Sequence, residues 1–137
     1  MTPKAEGPGL TQVVYESPLA KARVSFHVWM PHGVTEKQTE KLPVIYWLHG
    51  SGGGQAGIAP LAALFSRALS QGMAPPLIVV FPNGLKNGMW TDSVGGKTPV
   101  ESILLKEIIP EVEKRFPASG SRSRRILDGF SMGGYGA

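Results

Sequence analysis

The chain has 137 residues, a formal net charge of +4, and apolar and charged fractions of 42% and 18%. This balance fits a globular domain with a core of its own and excludes a disordered chain. No apolar run approaches the ~20 residues of a membrane-spanning helix, and the absence of cysteine excludes disulfides, thiolate metal sites and a cysteine nucleophile.

In chain order, Met1 to Gly9 is polar and rich in Pro and Gly, and is expected to be a flexible N-terminus ahead of a domain over 10–137. It lacks the apolar stretch of a signal peptide, which favours a cytoplasmic location over secretion. Leu10 to Glu16 and Arg23 to Met30 read as antiparallel strands, with Val24, Phe26 and Val28 alternating with Ser25, His27 and Trp29. Pro43 to Leu48 is apolar throughout, as in a strand buried on both faces. His49 to Gly54 is a glycine-rich loop. Ile58 to Leu69 has helical spacing, with Leu61, Leu64, Phe65 and Leu69 on one face.

Pro76 to Phe81 is a second buried strand, followed by a long loop from Pro82 to Lys97. Thr98 is placed to cap a helix that starts at Pro99, with Glu101 at capping-box spacing. Ile103, Leu104, Ile108 and Val112 form its apolar stripe, and Pro110 should kink it or split it in two. Arg122, Arg124 and Arg125 cluster at a Ser/Gly-rich loop without interleaved aromatics, so a solvated loop is expected rather than a nucleic-acid surface. Arg125-Ile126-Leu127 is a last short strand. This order predicts an α/β fold: two antiparallel strands leading into a mostly parallel sheet with helices on both faces.

Gly129-Phe130-Ser131-Met132-Gly133 follows that strand. A GxSxG pattern between strand and helix describes a sharp turn that presents a serine at its apex. Glycines are needed where the turn packs backbone against backbone. Ser131 is therefore the candidate nucleophile for attack on a carbonyl carbon; a plain N-cap serine would not require both Gly129 and Gly133. No Lys-Ser/Thr pair follows the glycine loop, which argues against a phosphate cradle. The three histidines are dispersed without ligand spacing, so no metal is expected, and no cofactor is called for. His27 reads as a sheet-surface residue and His32 as a loop residue.

Three segments together resemble the α/β-hydrolase fold, and more narrowly an esterase family. They are Trp47-Leu48-His49-Gly50-Ser51-Gly52-Gly53, Phe81-Pro82-Asn83-Gly84 with Trp90 and Asp92-Ser93, and Gly129 to Ala137. The family includes S-formylglutathione hydrolases, feruloyl and acetyl xylan esterases, tributyrin esterases and mycolyltransferases. The resemblance implies a serine-dependent carboxylic ester hydrolase of which this chain is the N-terminal half. The acid and histidine would follow beyond Ala137, in the order Ser, Asp, His, leaving the 137-residue chain inactive by itself.

The resemblance also implies an oxyanion hole from the backbone amides of Met132 and Ser51, with Gly52 close behind. It makes His49 and Gly50 structural parts of the loop rather than a catalytic base. Trp90 and Asp92 are candidates for the substrate pocket at the carboxyl edge of the sheet, with loop packing free of substrate contact as the alternative. Asp128 is expected to be structural, paired with a nearby arginine. Small-molecule or carbohydrate-linked esters are the expected substrates, with no nucleic-acid or membrane partner. A serine peptidase, thioesterase or acyltransferase shares the same motifs. A non-catalytic fragment that self-associates through an open sheet edge is an alternative of another class.

Overall fold

Apolar and alternating strands assemble into one five-stranded sheet in the computed structural model, which describes residues 1–137. β1 (Leu10–Ser17) and β2 (Ala22–Trp29) form an antiparallel pair. β3 (Val44–Leu48), β4 (Ile78–Phe81) and β5 (Arg125–Gly129) run parallel to one another. The strand order is β1-β2-β4-β3-β5, so β2 pairs antiparallel with β4 and β5 forms one edge.

Successive side chains of a strand point to opposite faces, and both faces are covered over β2, β4 and β3, whereas β5 is largely exposed. α1 (Gln55–Ser70) brings Ile58 and Ala62 onto one face, against Trp29, Ile45, Val79 and Phe81. Leu61, Phe65 and Leu69 of the expected stripe are partly buried against the same cluster, Leu64 is 49% exposed, and Ile58 and Ala62 are the fully buried residues of the helix.

On the other face lie α2 (Val100–Ile103), a π-helical turn over Leu104–Ile108, and α3 (Ile109–Arg115). Val100, Leu104, Ile108 and Val112 pack there against Phe26, Val28, Tyr46, Leu48 and Val80. Pro110 has no amide to donate and its ring crowds the carbonyl four residues back. The wide π turn just before it gives that ring room and separates α2 from α3, where a kink or a split was expected. Glu107, within the π turn, accepts bonds from the Tyr15 hydroxyl (3.0 Å), the Ser17 hydroxyl (2.6 Å) and the Leu19 amide (3.0 Å). Burial first, and then the Glu107 carboxylate, raises the Tyr15 pKa.

The helix start also differs from expectation. Pro99 occupies the cap position and the Thr98 side chain makes no cap bond. Asp92 does that work from outside the helix, accepting the Ser102 amide (2.9 Å) and the Ser102 hydroxyl (2.7 Å).

Met1 to Gly9, expected to be flexible, lies across β2 as a strap. The Thr2 amide donates to Ser25 Oγ (2.9 Å) and the Ala5 amide to His27 Nε2 (3.0 Å), and Ala5 itself is buried. His27 is consequently 0% exposed rather than a sheet-surface residue. No helix is long and apolar enough to cross a membrane.

Candidate active site

β5 ends at Gly129, and α4 (Met132–Gly136) begins three residues later. Ser131 forms the apex with φ 55° and ψ −115°. A non-glycine residue held there costs about 1–3 kcal/mol, which the surrounding structure must impose. The cause is close approach to β3. A Cβ on Gly129 would stand 2.6 Å from the Leu48 carbonyl oxygen and 2.5 Å from the Gly133 carbonyl carbon. The Phe130 amide donates to the Leu48 carbonyl (3.1 Å), and the Gly133 and Tyr135 amides close the turn on Phe130 (2.9 Å) and Ser131 (3.1 Å). Only the side chain of the apex is left free, and Ser131 is exposed.

The glycine loop backs onto this apex. A Cβ on Gly50 would lie 3.4 Å from Ser131 Cβ and 3.2 Å from the Phe130 carbonyl oxygen. The Met132 amide opens α4 and has no acceptor within the chain, and the Ser51 amide has none either. The Gly52 amide differs from expectation: it donates to the Lys86 carbonyl (2.8 Å), so it is occupied in holding the loop. A cleft of about 420 Å³ opens between the loop and the apex, lined by Ser51, Gly53, Trp47, Leu61, Phe130 and Ser131 among others.

His49 is a structural pin. Its Nε2 accepts the Gly84 amide (3.0 Å) and its Nδ1 lies 2.7 Å from the Gly50 carbonyl, which assigns the ring proton to Nδ1. Both nitrogens are thereby engaged. Trp90 packs edge-on against this ring at 5.0 Å and donates its indole N–H to the His49 carbonyl (3.0 Å). At 4% exposure Trp90 belongs to the core, not to the cleft beside Ser131. Asp92 is likewise outside that cleft, and its two bonds from Ser102 hold its carboxyl below the usual range.

Three further groups complete the local chemistry. His27 is enclosed by the strap, with its Nδ1 unpartnered, and burial lowers its pKa. His32 is exposed in the loop after β2. Asp128 accepts the Gly129 amide (2.8 Å), while Arg125, the arginine nearest in sequence, pairs with Glu113. No group of three or more His, Cys, Asp or Glu is placed to hold a metal ion. Sequence reasoning missed Trp47, Leu61 and Phe130 as cleft residues, although Phe130 lies inside the GxSxG motif and Trp47 two residues before the glycine loop.

A family model described as "Putative esterase" matches residues 17–137. An endo-1,4-beta-xylanase/feruloyl esterase of Xylanibacter ruminicola is 30% identical over 138 residues, covering 91% of this chain and 18% of that protein. Among solved structures, a ferulic acid esterase superposes with a TM-score of 0.82 at 26% identity, covering 93% of this chain and 52% of that one. An S-formylglutathione hydrolase from Agrobacterium tumefaciens superposes with a TM-score of 0.76 at 22% identity, covering 97% and 53%. The chain therefore spans about half the length of these solved structures and a smaller share of the curated relative.

Proposed function

The chain belongs to the Putative esterase family and has the fold of the N-terminal half of an α/β-hydrolase; from that premise we propose that it carries the nucleophile and oxyanion hole of a serine-dependent carboxylic ester hydrolase. Ser131 Oγ attacks the ester carbonyl carbon, and the new tetrahedral oxyanion is received by the Met132 and Ser51 amides. Collapse expels the alcohol and leaves an acyl-serine, which water then cleaves to free the acid. The observation that carries this reading is the left-handed Ser131 at an exposed strand-to-helix turn, beside two amides with no acceptor of their own.

Attack requires a base to take the Ser131 proton. His49 is engaged at both nitrogens, His27 is sealed under the strap, and His32 lies outside the Ser131 cleft. The base and its acid partner are therefore supplied from outside these 137 residues. Short acyl esters, or acyl groups esterified to carbohydrate or phenolic alcohols, are the substrate class.

The test is hydrolysis of p-nitrophenyl acetate by a longer protein containing this chain, with and without Ser131→Ala. Loss of turnover with the fold retained is expected; retained turnover would sink the nucleophile assignment. The 137-residue chain alone should show none.

A second reading rests on the edge of β5, where Ile126 and Leu127 are 46% and 40% exposed. An edge strand with apolar side chains in view pairs readily with another chain. The isolated chain should self-associate, and a monodisperse monomer by light scattering would contradict this.

A further inference from the structure

A second cavity, of about 270 Å³, opens at the same end of the sheet between β2 and the entry to α2. It shares no lining residue with the cleft at Ser131. Val24, Val100 and Ile103 give it an apolar lining, and Arg23 and Lys97 stand beside them. No carboxylate lines it. Arg23 is engaged by Glu16 at 3.6 Å, whereas Lys97 has no acidic partner within salt-bridge distance.

Leu85 forms one wall, and its backbone is unusual. It sits at φ 62°, a conformation that disfavours a leucine. The Asn83 carboxamide holds it there by accepting the Leu85 amide (2.9 Å). The turn is tied on both sides to the glycine loop, through Gly84 to His49 and through Lys86 to Gly52. The outcome is a leucine presented 45% exposed at the cavity mouth. The constrained backbone thus displays an apolar side chain beside an apolar hollow, where the tail of a ligand could pack.

We propose that this cavity binds a small amphipathic monocarboxylate, its alkyl or aryl tail against Leu85, Val100 and Ile103 and its carboxylate on Lys97. The volume lies just below the ~300 Å³ where ordinary ligand pockets begin, so the tail is short. The unpaired Lys97, in a lining without a carboxylate, selects an anion over a neutral or cationic head group. The site does not depend on the role of Ser131.

Octanoate is the probe, titrated into the methyl-labelled chain and followed by NMR. The Val24, Leu85, Val100 and Ile103 methyl signals should shift saturably while that of Met132 stays in place. Lys97→Glu, at an exposed residue, should weaken binding by about fivefold, and Leu85→Asp should abolish it. Octanol, with the same tail and no charge, should bind the parent chain no better than octanoate binds Lys97→Glu. Shifts that fail to saturate, an unchanged Kd in Lys97→Glu, or shifts centred on Leu61 and Met132 would each overturn the proposal.

Discussion

Gly133 sits so close to Leu48 that a Cβ on it would fall 1.8 Å from the Leu48 carbonyl oxygen. The obstacle is backbone of a central strand, which cannot step aside as a flexible side chain would. Gly133→Ala should therefore cost about 3 kcal/mol or more, among the larger single-residue effects. Gly53 is the control. It has φ 101° but nothing within 4 Å of its Cβ position, so Gly53→Ala should cost only the ~1–2 kcal/mol of the unfavourable conformation. Urea unfolding of both variants checks the order; equal losses would mean that steric contact at the elbow is not what demands glycine.

Strain at Ser131 can be measured apart from chemistry. Ser131→Ala removes the hydroxyl but keeps a Cβ at φ 55°. Ser131→Gly removes the Cβ as well and tolerates that angle. Even after the larger entropy of an unfolded glycine is counted, the glycine variant should be the more stable of the two by about 1 kcal/mol. A more stable alanine variant would show that the backbone at the apex is relaxed.

The His49 pin predicts a local rather than a global effect. In His49→Ala the Gly84 amide loses its acceptor and Trp90 loses an aromatic neighbour. A buried donor left unpaired costs about 1–3 kcal/mol. Hydrogen exchange at Gly84 should accelerate by about tenfold or more, while amides in the β1–β2 ladder change little. Unaltered protection at Gly84 would remove His49 from the support of the glycine loop.

His27 makes stability depend on pH. Burial lowers its folded-state pKa below the reference 6.5, and no charged group contributes to that shift. The unfolded chain thus binds the proton more readily. The stability gained from a neutral His27 is complete above about 6.5 and is lost as pH falls from there through the lowered folded value. Protonation also removes the acceptor at Nε2 that holds the Ala5 amide. The melting temperature should decline over that window in the parent, and the part of the decline due to His27 should vanish in His27→Gln. Identical pH slopes in the two proteins would exclude the mechanism.

Much of this architecture is legible residue by residue. Continuous apolar runs such as Val44–Leu48 announce strands covered on both sides, and the motif around Ser131 announces the elbow. The parts that were not legible depend on partners distant in sequence. Alternation along β2 marks His27 as outward-facing, and only the strap, a segment with no periodicity, turns it into a buried residue. Thr98 has the composition of a cap, yet Asp92 reaches the helix from ten residues before Ser102. Gly52 looks as free as Ser51, and only the Lys86 carbonyl distinguishes them. Trp90 looks like a pocket aromatic until its indole is seen on the His49 carbonyl.

The π turn has a consequence for the helix that contains it. Val100, Leu104, Ile108 and Val112 are all buried and are spaced four residues apart. In a regular α-helix each such step overshoots a full turn by about 40°, so Val112 would point about 120° away from Val100. The wide turn unwinds that excess, and in effect the helix carries one residue more than its buried stripe needs. Deletion of the exposed Leu105 would leave spacings of four, three and four, which an ordinary α-helix keeps in phase. The helix can therefore give up one residue and still face the core; what it surrenders is the placement of Glu107, and with it the bonds to Tyr15, Ser17 and Leu19 that fasten the first strand.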